Sequence, residues 1–263
     1  MKIDLTGKTA LVTASSRGIG FGISEALFDA GAQVCICSRT ETKIEEARQK
    51  LAAKDSSRVH GVAGDIGDLD FLTHLVQVAN ERFGSVDILV NNSGGPPPGP
   101  ALSMTEEQWM SALNNNLLSV IRLSSLLVPG MKAKGWGRIV NLTSTAAREP
   151  SPGMVLSNVT RAAVAAYTKT LAHELGPDGI TVNTILTGGC LTDRLRDLLN
   201  RQIEGTAESF DEALAKIEKN IPVQHISTPE EFAQTILFLV SPQARYLTGA
   251  AIPLDGGASK STF

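Results

Sequence analysis

Four short segments stand out for the chemical character and spacing of their residues. The first is Thr13-Ala14-Ser15-Ser16-Arg17-Gly18-Ile19-Gly20. Small residues let a backbone approach a phosphate closely, and the amides that open a helix supply donors. The second is Ser38-Arg39-Thr40. A site for NAD places an acid here to bind the ribose 2′-hydroxyl. Arg39 stands there instead, and Arg17 is a second guanidinium in the glycine-rich segment. Either alone suits an ordinary solvated surface. Together they offer planar forks of donors to a 2′-phosphate and favour NADP(H) over NAD(H). In the third segment Asp65 is placed to accept from an adenine amino group while Ile66 packs the ring. Asn91-Asn92-Ser93-Gly94 is the fourth, again small enough for close approach.

Positioning these segments requires strands that deliver them to one edge. Short runs rich in β-branched residues fall at 9–13, 33–38, 58–63, 86–91, 138–142, 181–186 and 251–254. Amphipathic stretches lie between them, at 19–30, 41–54, 69–83, 106–133, 155–175, 193–220 and 230–240. Near-continuous apolar strands alternating with helices predict a parallel sheet covered on both faces. The segments above then fall at carboxyl ends of strands, where such sheets bind ligands. The run Gly94-Gly95-Pro96-Pro97-Pro98-Gly99-Pro100 also follows a strand directly. It stiffens a loop, either a wall of the site or a rigid surface turn.

The 263 residues, 42% hydrophobic and 19% charged, are expected to form a single domain spanning 1–263 with a sizeable core. A net charge of −3 without a basic run argues against nucleic acid as partner. The start Met1-Lys2-Ile3-Asp4 shows no targeting segment, and charged residues interrupt every apolar stretch before membrane-spanning length. Cys35, Cys37 and Cys190 make no disulfide framework or metal set; Cys35 and Cys37 share one strand face and read as core. His60, His74, His173 and His225 show no ligand spacing. A reduced, cytoplasmic protein is the expectation.

The whole chain resembles the short-chain dehydrogenase/reductases, near the branch of the 3-oxoacyl-acyl-carrier-protein reductases. The fingerprint Thr-Gly-x-x-x-Gly-x-Gly falls on Thr13 to Gly20, with Ala14 at the first glycine. Asn-Asn-Ala-Gly falls on Asn91-Asn92-Ser93-Gly94, and Trp followed seven residues on by Asn matches Trp109 and Asn116. Gly137-Arg138-Ile139-Val140-Asn141 leads to Ser144, the position of the family's catalytic Ser. Gly179 to Asn183 resembles the sixth strand, Thr192 the Thr near the nicotinamide amide, and Thr187-Gly188 stands where Pro-Gly is usual. Pro229-Glu230-Glu231, Thr248-Gly249 and Asp255-Gly256-Gly257 complete the pattern. The resemblance implies a Rossmann-type, doubly wound, seven-stranded parallel sheet in the order 3-2-1-4-5-6-7. It also implies an oxidoreductase working on a carbonyl or alcohol, and a homo-oligomer, dimer or tetramer, paired through the two long alanine-rich helices. Segment 193–221 corresponds to the helical substrate lid, with Gly205 as a hinge or helix break.

One departure bears on the chemistry. Where the family carries its catalytic Tyr, and Lys four residues later, this sequence has Ser157 and Arg161. Tyr167 and Lys169 are two apart, so they point in different directions on a helix and do not replace the pair. A Ser hydroxyl is shorter and far less acidic than a phenol. Arg161 keeps positive charge for the nicotinamide ribose, but with a pKa above about 12 it relays no proton. Ser144 and Ser157 then form a hydroxyl pair over the substrate oxygen, with Arg161 behind it and Asn116 anchoring a water. Asn114 and Asn115 read as helix-surface residues, and Arg148 with Glu149 as a solvated pair in preference to alternative site groups. Three functions remain open: an NADP(H)-dependent oxidoreductase with this unusual tetrad, a lyase, dehydratase or isomerase on the same scaffold, or a catalytically silent NADP(H)-binding protein.

Overall fold

The computed structural model describes residues 3–262; Met1, Lys2 and Phe263, including the first two residues of the N-terminal reading, lie outside them. Seven strands, β1 (Thr9–Val12), β2 (Gln33–Ser38), β3 (Val59–Ala63), β4 (Ile88–Asn91), β5 (Gly137–Leu142), β6 (Ile180–Thr187) and β7 (Ala251–Leu254), form one sheet. Their order is β3-β2-β1-β4-β5-β6-β7 and every pairing is parallel, as the sequence predicts. The chain leaves β1 toward β2 and β3 on one side and returns to β4 on the other. That reversal opens a crevice at the carboxyl ends of β1 and β4.

Helices cover both faces. On one, α1 (Gly18–Asp29) packs against α9 (Pro229–Val240), burying Ile23, Phe28, Phe232 and Ile236 with α2 (Glu41–Asp55) alongside. On the other, α3 (Leu69–Phe83), α5 (Ser119–Lys134) and α6 (Val155–Leu175) bury Leu72, Leu75, Met131 and Leu175. Cys35 and Cys37 lie in this second core, both within 1% of full burial, which pushes each thiol well above its ordinary pKa and makes it inert. Among the described residues no helix is long and apolar enough to cross a membrane, and no group of three or more His, Cys, Asp or Glu could hold a metal ion.

Two helical stretches differ from expectation. Residues 106–133 are not one helix: α4 (Glu106–Leu113) runs into a π-helical turn, Asn114–Leu118, before α5 begins. The wider turn contains no glycine or proline, and within it Asn116 turns its amide inward. Residues 193–220 divide into α7 (Asp193–Ile203) and α8 (Phe210–Glu218). Gly205, at φ +76°, makes the break that its position suggested.

The register places a polar group at each step across the centre of the sheet. Asn91 stands opposite Asn141, and Asn141 opposite Thr184. Asn91 Nδ2 donates to Asn141 Oδ1 at 2.7 Å, and Asn141 Nδ2 donates to Thr168 Oγ1 on α6 at 2.8 Å. Thr184 Oγ1 donates to the same Thr168 oxygen at 2.7 Å. All four residues are buried, so the chain of bonds fixes α6 against three strands.

Candidate active site

A cleft of about 650 Å³ opens along the carboxyl edge of β1, β2 and β4. Its floor is the turn from β1 into α1. A Cβ on Gly20 would stand 2.5 Å from the carbonyl oxygen of Ala14 and 2.7 Å from Nδ2 of Asn92, so only glycine fits. Asn92 holds the turn from the other side, donating from Nδ2 to Ala14 O at 3.1 Å. Ser16, Arg17, Gly18 and Ile19 line the cleft with Gly20, at the amino end of α1.

At one end Ser38, Arg39, Thr40 and Lys43 form the wall, with Asp65 and Ile66 beside them. Lys43, in the first turn of α2, is a third cation that the sequence reading missed; its place on a polar helix surface gave no signal. Asp65 Oδ1 accepts from the backbone N–H of Gly67 at 2.9 Å. The other end is closed by Asn92, Ser93, Gly94 and the following Gly95, Pro96 and Pro97, so the first part of the proline-rich run lines the cleft. Gly99 ties that run to the loop before α6 by donating to Gly153 O at 2.6 Å. Thr192, Asp193 and Arg194, where α7 begins, complete the far side.

Asn116 is 1% exposed and donates from Nδ2 to Ser93 Oγ at 2.8 Å and to Gly94 O at 2.9 Å. These bonds pull the π turn against the end of β4. Asn115 lines the cleft too, and so corrects its reading as a surface residue: the wider turn rotates it toward Gly67.

Seven other expected site residues do not line this cleft. Thr13 and Ser15 lie beneath it, fully buried, where Thr13 Oγ1 donates to Asn92 O at 2.6 Å and Ser15 Oγ to Val12 O at 2.8 Å. They shape the turn rather than face it. Thr187 Oγ1 donates to Thr143 O at 2.7 Å, and Gly188 is needed where a Cβ would meet the backbone of Asp255 at 2.5 Å. Both join β6 to its neighbours. Ser144, Ser157 and Arg161 lie past the end of β5, beyond that lining.

Ser144 Oγ accepts from the N–H of Ala146 at 3.2 Å, which leaves its own O–H to donate elsewhere. Ser157 sits in the first turn of α6 with Arg161 one turn on, on the same face. Among the described residues nothing bonds to Ser157 Oγ, and no hydrogen bond joins the two serine hydroxyls. Arg161 is 6% exposed and donates from Nη1 to Leu142 O at 3.0 Å. No carboxylate among the described residues pairs with it. Burial, with the charge of Arg194 in addition, pushes its pKa down to about 10, below the range expected from sequence. At neutral pH it remains a cation.

Arg148 and Glu149 correct another reading. They are half-buried, and they bind the carboxyl end of the chain instead of each other: Arg148 Nη2 donates to Ala251 O at 3.0 Å, and Glu149 accepts from the N–H of Ser261. Lys169 packs on Gly249 and Tyr167 is placed toward Ser124 of α5, so neither serves the cleft.

The family model described as enoyl-(acyl carrier protein) reductase matches residues 13–259. The 3-oxoacyl-acyl-carrier-protein reductase FabG of Vibrio cholerae is 33% identical over 255 residues, covering 97% of this chain and 98% of that protein. L-sorbose reductase from Gluconobacter frateurii, solved with NADPH and L-sorbose, superposes with a TM-score of 0.95 at 32% identity, covering 99% of this chain and all of that one. A short-chain oxidoreductase from Pseudomonas aeruginosa PAO1, described as containing an atypical catalytic center, gives 0.91 at 30% identity, over 98% of this chain and all of that one. The chain belongs to the short-chain dehydrogenase/reductase family, in the branch of the 3-oxoacyl-acyl-carrier-protein reductases.

Proposed function

We propose that the protein is an NADP(H)-dependent oxidoreductase of a carbonyl or alcohol substrate, with Ser157 and Arg161 in place of a Tyr and Lys pair. The observation that carries the cofactor assignment is that Arg17, Arg39 and Lys43 all line the cleft, with no acid at the end of β2. Three cations suit the two charges of a 2′-phosphate, which NADH lacks. The cradle at Gly20, open only to glycine, suits a diphosphate against the amino end of α1. Asp65 and Ile66 suit the adenine. The NADPH held by L-sorbose reductase, so similar in fold, supports the same reading.

When bound, NADPH supplies a hydride to the carbonyl carbon. The residues of this chain then have to manage the negative charge that grows on the carbonyl oxygen. Ser144, whose oxygen already accepts from Ala146, presents its O–H as a donor to that oxygen. Ser157 offers a second O–H free of bonds within the protein. Arg161, fixed by Leu142, contributes a buried positive charge that stabilises the alkoxide. The proton that completes the alcohol comes from water reached through Ser157, because Arg161 keeps its own at neutral pH. Asn116 holds Ser93 and Gly94 and so fixes the cleft wall beside this oxygen. A positioned general acid contributes about 10²–10⁴-fold, so slower turnover survives the exchange of Tyr for Ser.

The segment from α7 to α8, broken at Gly205, serves as the lid of a single domain. Met110 on α4 and Val159 on α6, 48% and 47% exposed, give these helices an apolar outer face that supports pairing of two copies. We place the protein in the cytoplasm.

Calorimetry tests the cofactor assignment: NADPH is expected to bind more tightly than NADH, and Arg39→Asp to reverse the order. Equal affinities would refute it. Loss of NADPH absorbance over a carbonyl panel tests the activity. NADPH binding without turnover, with turnover appearing in the Ser157→Tyr, Arg161→Lys double variant, would identify a silent binder instead.

A further inference from the structure

The proline-rich segment is tied down at both ends. At its start Gly94 O accepts from Nδ2 of the buried Asn116 at 2.9 Å. Near its end Gly99 pairs in parallel with Met154, the residue before α6, and its N–H donates to Gly153 O at 2.6 Å. Met104 covers this second tie: a Cβ on Gly99 would overlap its methyl carbon and stand 3.3 Å from its sulfur. The loop that receives the tie is pinned in turn to α6, where Asn158, next to Ser157, donates from Nδ2 to Ser151 O at 2.9 Å.

Between the two ties stand Pro96, Pro97 and Pro98, whose rings fix φ and stiffen the backbone. A short segment held at both ends and stiff in the middle has no slack. Pro96 and Pro97 are among its residues that line the cleft. The wall that begins at Thr192, Asp193 and Arg194 is built differently. It continues into α7 and α8, which break at Gly205. α7 buries only Leu199 and α8 only Ala213, so few apolar contacts hold that side in place. The two walls meet at Gly95, where a Cβ would stand 3.3 and 3.5 Å from the terminal nitrogens of Arg194.

We propose that Gly94 to Gly99 forms the fixed jaw of the cleft, against which segment 193–221 closes, and that Pro96 and Pro97 thereby select substrates by shape. The selectivity rests on the reading of the cleft as a carbonyl-reductase site; the fixed jaw does not. Hydrogen exchange followed by NMR tests the jaw. In the cofactor-free protein the Gly99 amide is expected to exchange about a hundredfold or more slowly than an unstructured amide. Added NADP+ should leave it unchanged while amides of 193–221 slow. A Gly99 amide that exchanges freely, or that slows together with 193–221, would overturn the jaw. For selectivity, the ketone that the native protein reduces fastest is compared with its analogue carrying one more methyl beside the carbonyl. One such group against a fixed wall is worth about tenfold or more in kcat/KM, in favour of the smaller ketone. Gly99→Pro removes the N–H of the second tie and is expected to narrow that ratio to about threefold or less, with the affinity for NADPH unchanged. Gly99→Ala combined with Met104→Ala keeps the N–H, clears the collision and should restore the native ratio. A ratio near one in the native protein, or one unchanged in Gly99→Pro, would overturn the selectivity. Absence of turnover in the native protein would remove the reductase reading and the selectivity with it, while the Gly99 amide still decides the jaw.

Discussion

The carbonyl oxygen of Ala14 and the α-carbon of Gly20 approach so closely that a single added methyl group would close the cofactor cradle. Gly20→Ala would place its Cβ 2.5 Å from that oxygen and 2.7 Å from the amide of Asn92, and the turn must open to admit it. Gly20→Ala is expected to weaken NADPH binding by about tenfold or more, which is about 1.4 kcal/mol. The sheet, whose pairings lie outside the turn, should keep its circular dichroism. Calorimetry on the folded variant reads the effect, and unchanged affinity would mean that the diphosphate does not approach this turn.

Ala14 itself lies at φ +48°, in the left-handed region that favours glycine. It occupies the first-glycine position of the fingerprint, so the turn has kept its shape after losing the residue best suited to it. Ala14→Gly relieves strain of about 1–2 kcal/mol and costs somewhat less in unfolded-chain entropy, leaving a net gain of about 0.5 kcal/mol. Thermal unfolding should rise by about 1–2 °C. A fall would show that the alanine methyl contributes packing that outweighs the strain.

These two residues show what the sequence could and could not reveal. The strands were legible because parallel, doubly covered strands must be continuously apolar, and the glycine-rich turn because its spacing reflects a steric need. The π turn at Asn114–Leu118 was not, since an inward amide at Asn116 leaves the helical pattern of apolar residues nearly unchanged. Lys43 and Arg194 look like ordinary solvated charges on polar helix surfaces until the fold turns them to the cleft. Arg148 and Glu149 resembled a local ion pair because their true partners, Ala251 and Ser261, are more than a hundred positions away.

Arg161 carries a stability prediction with a definite sign. Its pKa in the folded protein, about 10, lies well below the ordinary value of a guanidinium because of burial, so folding disfavours the charged form. That cost is fully present at neutral pH and fades as pH rises through about 10 and the folded protein loses the proton. Arg161→Met is therefore expected to raise the melting temperature of the cofactor-free protein at pH 7, while removing turnover. The gain should be about 2–4 °C for each kcal/mol recovered, and the difference between the two proteins should narrow above pH 10. A variant that melts lower at pH 7 would mean that the bond to Leu142 outweighs the buried charge.

Thr168 is the point where the polar chain through the sheet reaches α6, and through α6 it reaches Ser157 and Arg161. Its hydroxyl oxygen accepts from Asn141 Nδ2 and from Thr184 Oγ1, and all three groups are buried. Thr168→Val keeps the shape but leaves two donors without an acceptor. An unsatisfied buried polar group costs about 1–3 kcal/mol, so the variant should unfold at clearly lower denaturant with an unchanged slope. Replacing Thr184 by Val in the same chain removes one of the orphaned donors and should recover part of the loss. If α6 depends on this anchor to hold its first two turns, kcat should also fall while the affinity for NADPH, set at Arg17, Arg39 and Lys43, holds. Equal loss of both would place the effect in the sheet as a whole rather than in the helix that carries Ser157 and Arg161.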